Sequence, residues 1–253
     1  MSGPERVAVL GSRISVCDVD GALRHVEQRL ASDEGGYVCF TNVHGVVTGR
    51  EDPAFRDITN GSFMSVADGK PVFWVGRSRS RGAMGHVPGP DFFDRALQRF
   101  ASRRHFLYGS SPEVLARLET ALRARIPDLQ ICGSISPPFR TLTEDERQAH
   151  LREIRESGAE FVWVSLGAPK QERWMAQNWT DLRPALLYGV GAAFDFHAGT
   201  VRRAPPVMRA LGLEWLYRLL QEPRRLWRRY LRTNLLFSAY LTGELLRGGA
   251  KRE

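Results

Sequence analysis

Four short polar clusters concentrate the residue types that could do chemistry, and each directly follows an apolar run. They are Thr41-Asn42-Val43-His44, Asp68-Gly69-Lys70-Pro71, Gly167-Ala168-Pro169-Lys170-Gln171-Glu172 and Gly189-Val190-Gly191-Ala192-Ala193-Phe194-Asp195. Asp68 ends an apolar run and precedes glycine, so its carboxylate can sit at a sheet edge beside a backbone that lets a ligand come close. Partial burial there raises a carboxylate's pKa and fixes its aim, which suits a general base. An Asp-Gly pair is also an ordinary turn. The recurrence of polar clusters at the same structural place is the stronger signal.

A second concentration lies near the C-terminus, where Gly212-Leu213-Glu214-Trp215-Leu216-Tyr217-Arg218 leads to Glu222-Pro223-Arg224-Arg225-Leu226-Trp227-Arg228-Arg229-Tyr230. The pattern predicts two short helices around Pro223. In the second, Leu226, Trp227, Tyr230 and Leu231 alternate in pairs with Arg224, Arg225, Arg228, Arg229 and Arg232, giving an apolar and a cationic face at 3.6 residues per turn. Such a helix can lie in a bilayer interface with its arginines on lipid phosphates, or pack on a core with a solvated basic face.

Other patterns carry less. Gly109-Ser110-Ser111-Pro112 joins a strand to a helix but lacks the Gly-Lys-Ser/Thr of a P-loop, and a serine N-cap explains it as well. Asp18-Val19-Asp20-Gly21 is similar to the nucleophile motif of haloacid-dehalogenase-type phosphatases, yet Ala22 departs from it and Asp18 reads better as a helix cap. His44, His86 and His197 lack ligand spacing, so no metal is expected. No Gly-x-Ser-x-Gly marks a serine nucleophile.

The elements that must position these clusters follow from periodicity. Strands are predicted at Tyr37 to Phe40, Phe63 to Ala67, His105 to Tyr108, Leu129 to Cys132, Phe161 to Leu166 and Leu186 to Val190. Between them, helical spacing appears from Val19 to Leu30, Val43 to about Thr59, Pro90 to Phe100, Pro112 to Arg125, Glu144 to Ser157 and Lys170 to Gln177, with a loop from Gly76 to Gly85. This alternation predicts an α/β, Rossmann-like, mainly parallel sheet with helices on both faces and an Arg-rich helical C-terminal appendage. Ligands of such sheets bind outside the carboxyl ends of the strands, where all four clusters fall. The composition shift near Ala204-Pro205-Pro206 divides a 1–203 domain from a 204–253 appendage.

The 253 residues, 43% of them hydrophobic, suffice for such a core. A formal charge of +8 favours phosphate-bearing partners. Cys17, Cys39 and Cys132 are odd in number and set in apolar runs, which suits buried thiols in a reducing cytosol. The N-terminus has no signal-peptide layout, and no window approaches about 18 apolar residues. The expectation is a cytosolic protein able to touch the membrane from its inner side.

Taken together, the motifs resemble those of the WecG/TagA/CpsF glycosyltransferases. The resemblance rests on Asn42 after a strand, Asp68-Gly69-x-Pro71, Gly89-Pro90-Asp91, Gly167-x-Pro169-Lys170-Gln171-Glu172, the Gly189-to-Gly199 segment, Arg203-Ala204-Pro205 and the Gly-Leu-Glu-Trp and Glu-Pro-Arg-Arg tail. It implies an inverting, metal-independent and cofactor-free transfer of a sugar, an N-acetylmannosamine-type or related hexose, from a UDP-sugar to a polyprenyl-diphosphate-linked saccharide in cell-wall or exopolysaccharide synthesis. On that resemblance Asp68 is the base, and Thr41, Asn42, His86, Gly89, Gln171 and Asp195 line the donor pocket. Arg218, Arg225 and Arg228 close over the diphosphate. The resemblance further implies peripheral association with the inner face of the cell membrane, a homo-oligomer as one option, and no nucleic-acid partner.

Two positions depart from the family pattern. Threonine stands one residue before Asn42 rather than two, and His86 replaces an arginine, which predicts a weaker or pH-dependent diphosphate contact. Two other classes compete: a basic nucleic-acid-binding module, which leaves the strand-end clusters without a role, and a phosphatase acting through Asp18.

Overall fold

The computed structural model describes residues 3–249, so Met1, Ser2 and residues 250–253 of the expected appendage lie outside the described residues. An antiparallel hairpin of β1 (Arg6–Val9) and β2 (Ser12–Ser15) opens the chain. Sequence periodicity becomes readable only from residue 18 and gives no sign of it. Its two loop residues, Leu10 and Gly11, both have positive φ, the twist that suits a two-residue hairpin. Leu10 adopts that conformation while burying its side chain.

The next stretch contains α1 (Val19–Ala31), β3 (Gly36–Thr41), α2 (Val43–Glu51), α3 (Pro53–Gly61), β4 (Met64–Ala67), α4 (Lys70–Arg79) and α5 (Gly89–Arg99). After it come β5 (Arg104–Gly109), α6 (Pro112–Arg125), β6 (Gln130–Ile135), α7 (Glu144–Glu156), β7 (Phe161–Ser165), α8 (Lys170–Asn178) and β8 (Leu186–Gly189). Six strands form one sheet in the order β4-β3-β8-β7-β5-β6, and every pairing is parallel. The α/β Rossmann-like expectation holds.

Alternation along the strands explains why both faces are covered. Val38, Phe40, Phe161, Trp163, Leu186 and Tyr188 pack against α1, α5 and α6. Their neighbours Tyr37, Cys39, Val162, Val164 and Leu187 face the other way, toward α7 and α8.

Three boundaries differ from the periodicity. The stretch from Val43 to Thr59 is two helices, because Asp52 ends α2 and its side chain caps α3, with Pro53 at the first turn. Residues Gly76 to Arg79, expected in a loop, are the last turn of α4, whose contiguous apolar run shows no helical period. Strand β6 runs past Cys132 to Ile135, and Gly133 within it is required because the Phe106 ring lies 2.5 Å from where a Cβ would stand.

The chain closes with α9 (Ala193–His197), α10 (Pro206–Ala210), α11 (Glu214–Gln221) and α12 (Pro223–Gly249). The second tail helix is therefore 27 residues long rather than short. It lies along α2, with Leu226 and Phe237 buried. Among the described residues no helix is long and apolar enough to cross a membrane.

His105 has no exposed surface and lies against Phe161 and Trp163. Its Nε2 donates to the Phe100 carbonyl at 2.9 Å, and its Nδ1 accepts from Trp163 Nε1 at 3.1 Å, which fixes a neutral tautomer. Burial pushes its pKa down to about 4. The unfolded chain takes up this proton below about pH 6.5, so the contribution of His105 is complete above that value and is lost as pH falls toward 4. The expected loss is about 3 kcal/mol. Urea denaturation of His105→Gln should show lower stability than wild type at pH 7.5 and a gap that narrows toward pH 4.5.

Candidate functional site

The carboxyl ends of β3, β4, β7 and β8 open into a cleft of about 470 Å³, roofed by α11 and α12. The sheet's own geometry puts it there, since β3 and β8 are adjacent while their following segments turn apart. Of the residues expected in the site, Asn42, Asp68, His86, Gln171, Arg218 and Arg225 line this cleft.

Asp68 sits on the floor. Its Oδ1 accepts from the Gly89 amide at 2.7 Å, at the first turn of α5, and its Oδ2 faces Asn42 Nδ2 at 3.5 Å. Burial raises its pKa, opposed by the Gly89 and Asn42 donors and by the charges of Arg203 and Arg218. A carboxyl so held is poised above the usual carboxylate range yet keeps two donors that favour its charged form. Asn42 serves the fold as well, because its side-chain oxygen caps α2 through the Gly45 amide at 3.2 Å.

His86 Nε2 lies 2.7 Å from the Asp68 carbonyl oxygen, which can only accept, so the imidazole is protonated at Nε2. Burial lowers its pKa and keeps it neutral near pH 7. It brings no positive charge to the cleft at that pH, unlike the arginine for which it stands.

Gln171 donates to the Gly189 carbonyl at 2.6 Å and to Glu172 at 3.0 Å, leaving its own carbonyl oxygen buried and without a partner among the described residues. It thus offers the cleft an acceptor. Gly189 must lack a side chain here, because a Cβ would stand 3.0 Å from Gln171 Nε2 and 2.7 Å from Met175. Glu172 is buried beside it, and desolvation raises its pKa to about 7.

Four expected residues are not part of the cleft lining. Thr41 is buried behind it, sharing a 2.7 Å hydrogen bond with Ser65. Gly89 acts through its amide on Asp68. Asp195 is half-buried; desolvation raises its pKa while the charges of Arg218 and Arg225 lower it. Arg228 is exposed, with its guanidinium 5.3 Å from the Trp227 ring. Arg229 faces the cleft instead, because one residue along a helix turns the side chain by about 100°.

Sequence reasoning also missed His44 and Arg209, both of which line the cleft. His44 stands in one of the clusters; Arg209 carries no signal, whereas Arg229 is reached from Arg225 by a step of four. The roof is tied down by Arg203, which bonds Glu214 at 3.2 Å on α11 and Asp91 on α5. Arg218 stacks on Phe196 at 5.5 Å. Asp18 is the N-cap of α1, accepting from the Gly21 amide at 2.7 Å, which agrees with its reading as a helix cap.

The double role of Asn42 gives a direct test. Asn42→Ala should cost about 1 kcal/mol through the lost cap, seen by chemical denaturation. It should also raise the Asp68 pKa further, because a donor to the charged form is gone, seen by carboxyl-carbon NMR.

Residues 7–251 match the model of the Glycosyl transferase WecG/TagA/CpsF family, nearly the whole length of the chain. With this site at the carboxyl edge of its sheet, the chain belongs to the WecG/TagA/CpsF family of glycosyl transferases.

Proposed function

We propose that this glycosyl transferase moves a sugar, of N-acetylmannosamine type or a related hexose, from a UDP-sugar to a polyprenyl-diphosphate-linked saccharide in cell-wall or exopolysaccharide synthesis, with inversion and without a metal. The observation that carries this reading is Asp68, a carboxylate held by the Gly89 amide on the floor of a cleft whose roof supplies Arg218, Arg225 and Arg229. Inverting transfer needs these two parts. A base takes the proton of the acceptor hydroxyl as the new bond forms, and fixed cations stabilise the departing diphosphate.

Arginines suit the stabilising role because they stay charged and present several donors to phosphate oxygens. Arg218 Nε is buried without a hydrogen-bond partner among the described residues, as is Arg229 Nε. An anionic ligand would satisfy both. Gln171 offers its free carbonyl oxygen to a donor on the nucleotide or sugar, and Asp195 tempers the field of the arginines.

The outer surface of α12 supports membrane association. Trp227, Leu231 and Leu235 recur every fourth residue and are 47%, 56% and 63% exposed, beside the exposed Arg224, Arg228 and Arg232. An apolar stripe bordered by a cationic one is the form of a helix lying on anionic lipid. The protein would work at the inner face of the cell membrane, where a lipid-linked acceptor is anchored.

Asp68→Asn should reduce transfer at least about 100-fold with UDP-sugar binding retained; near-normal turnover would refute the base assignment. Because burial raises the Asp68 pKa, activity should fall on acidification from a higher pH than an ordinary carboxylate would give. Replacing Trp227, Leu231 and Leu235 together with serine should release the protein from anionic liposomes in sedimentation while leaving a single cooperative thermal transition, shifted down by the lost packing and helix propensity.

A further inference from the structure

Gln171 and Glu172 stand side by side in the first turn of α8, each only 4% exposed. Gln171 lines the cleft, whereas Glu172 lies behind it and touches no part of the lining surface with its own. Burial raises the Glu172 pKa, opposed by its own amide and by Gln171 rather than by any cation, and its Oε2 has no hydrogen-bond partner among the described residues. A carboxyl in such a place costs stability relative to an apolar side chain of the same size. Its hydrogen bond to Gln171 indicates what it does there.

A primary amide carries two hydrogens on nitrogen and lone pairs on oxygen, so the way it is turned decides whether a ligand meets a donor or an acceptor. Gln171 directs both hydrogens inward. One goes to the Gly189 carbonyl at 2.6 Å and the other to Glu172 Oε1 at 3.0 Å. Turning the amide over would set its oxygen against two others. Gln171 Oε1 is therefore held toward Gly191, where a Cβ would stand 3.5 Å from it, and it faces the cleft without a partner.

The Gly189 carbonyl, at the end of β8, accounts for only one of the two hydrogens. Without Glu172 the other would be buried unpaired, and the amide could swing it toward the cleft as a donor. The acid form of Glu172 can carry its proton on Oε2 and still accept at Oε1.

We infer that Glu172 is a positioning residue for the donor site: it fixes the Gln171 amide with its oxygen outward, so that the cleft selects a nucleotide sugar by an N–H or O–H group placed against that oxygen. The class of ligand rests on the transferase reading, whereas the fixed amide is a property of the fold. A ligand group that can only accept meets like polarity at this point and is refused.

Glu172→Met removes the acceptor while filling similar space, and it should weaken binding of UDP-N-acetylmannosamine in calorimetric titration at least about fivefold. In a Gln171→Ala background, where no amide is left to orient, the same substitution should change affinity by less than about twofold. A merely structural carboxylate would weaken binding equally in both. Nitrogen-15 NMR of the ligand-free protein reads the amide directly, and the Gln171 side-chain hydrogens should exchange with solvent at least about tenfold faster in Glu172→Met than in the wild type. Glu172→Gln, whose amide can turn either end to its neighbour, should give the same changes in smaller measure and provides the reading if the methionine variant does not fold. Unchanged affinity, equal weakening in both backgrounds, or Gln171 exchange untouched by either substitution would overturn the positioning role. If the wild type does not bind UDP-N-acetylmannosamine, the transferase reading fails, while slow exchange lost in Glu172→Met would leave the fixed amide standing.

Discussion

The base proposed for this transferase must keep a charge beneath a protein roof, and the contacts of Asp68 on the floor of the cleft answer that constraint. Desolvation pushes the Asp68 pKa up, while the Gly89 amide, the Asn42 side chain and the charges of Arg203 and Arg218 pull it down. Gly89 stands at the first turn of α5, so its amide belongs to the positive end of a helix dipole. Asn42 starts α2 in the same way. Two helix starts thus converge on one side chain, and the parallel sheet brings them together, since helices that follow its strands begin at its carboxyl edge.

The arginine roof would fall away without its own anchorage. Hydrophobic contact supplies most of it: Leu226 and Phe237 are buried, and Phe237 joins a cluster with Val46 and Val47 of α2 and with residues of the β1–β2 hairpin. Ion pairs add register at the near end, where Arg203 spans Asp91 and Glu214, and at the far end, where Arg79 meets Glu244 at 2.6 Å. Pairs as exposed as Arg79 and Glu244 contribute little stability individually. They tie α11 to α5 at one end of the tail and α12 to α4 at the other.

The doubly wound sheet was legible because most of its strands are apolar on both faces and bounded by polar turns, which leaves little choice of architecture. The position of Asp68, Asn42 and Gln171 at its edge followed from the same logic. The hairpin escaped because Arg6–Val9 and Ser12–Ser15 are short and mixed, and their pairing depends on a Leu-Gly turn that advertises itself poorly. Helix α4 escaped because Val72 to Val75 form an unbroken apolar run in which no period can be seen. In the tail, composition indicated an amphipathic helix but misjudged its phase. Leu226 turns to the core while Trp227 turns outward, and Arg229 rather than Arg228 looks into the cleft. Pairs of like residues at adjacent positions blur the rotation that decides such questions.

The strand order has a consequence for how the molecule is made. Strand β8 lies between β3 and β7, so it joins the β4-β3 half of the sheet to the β7-β5-β6 half, yet it is the last of these strands to be synthesised. A nascent chain leaving the ribosome can pair the strands within each half as they emerge, but the halves have no shared neighbour until residues 186–189 arrive. Until then the inner edges of β3 and β7 stay unpaired and open to wrong partners. Completion of the sheet is therefore a single late insertion at its centre, made by the segment that also carries Gly189 and Gly191 into the cleft.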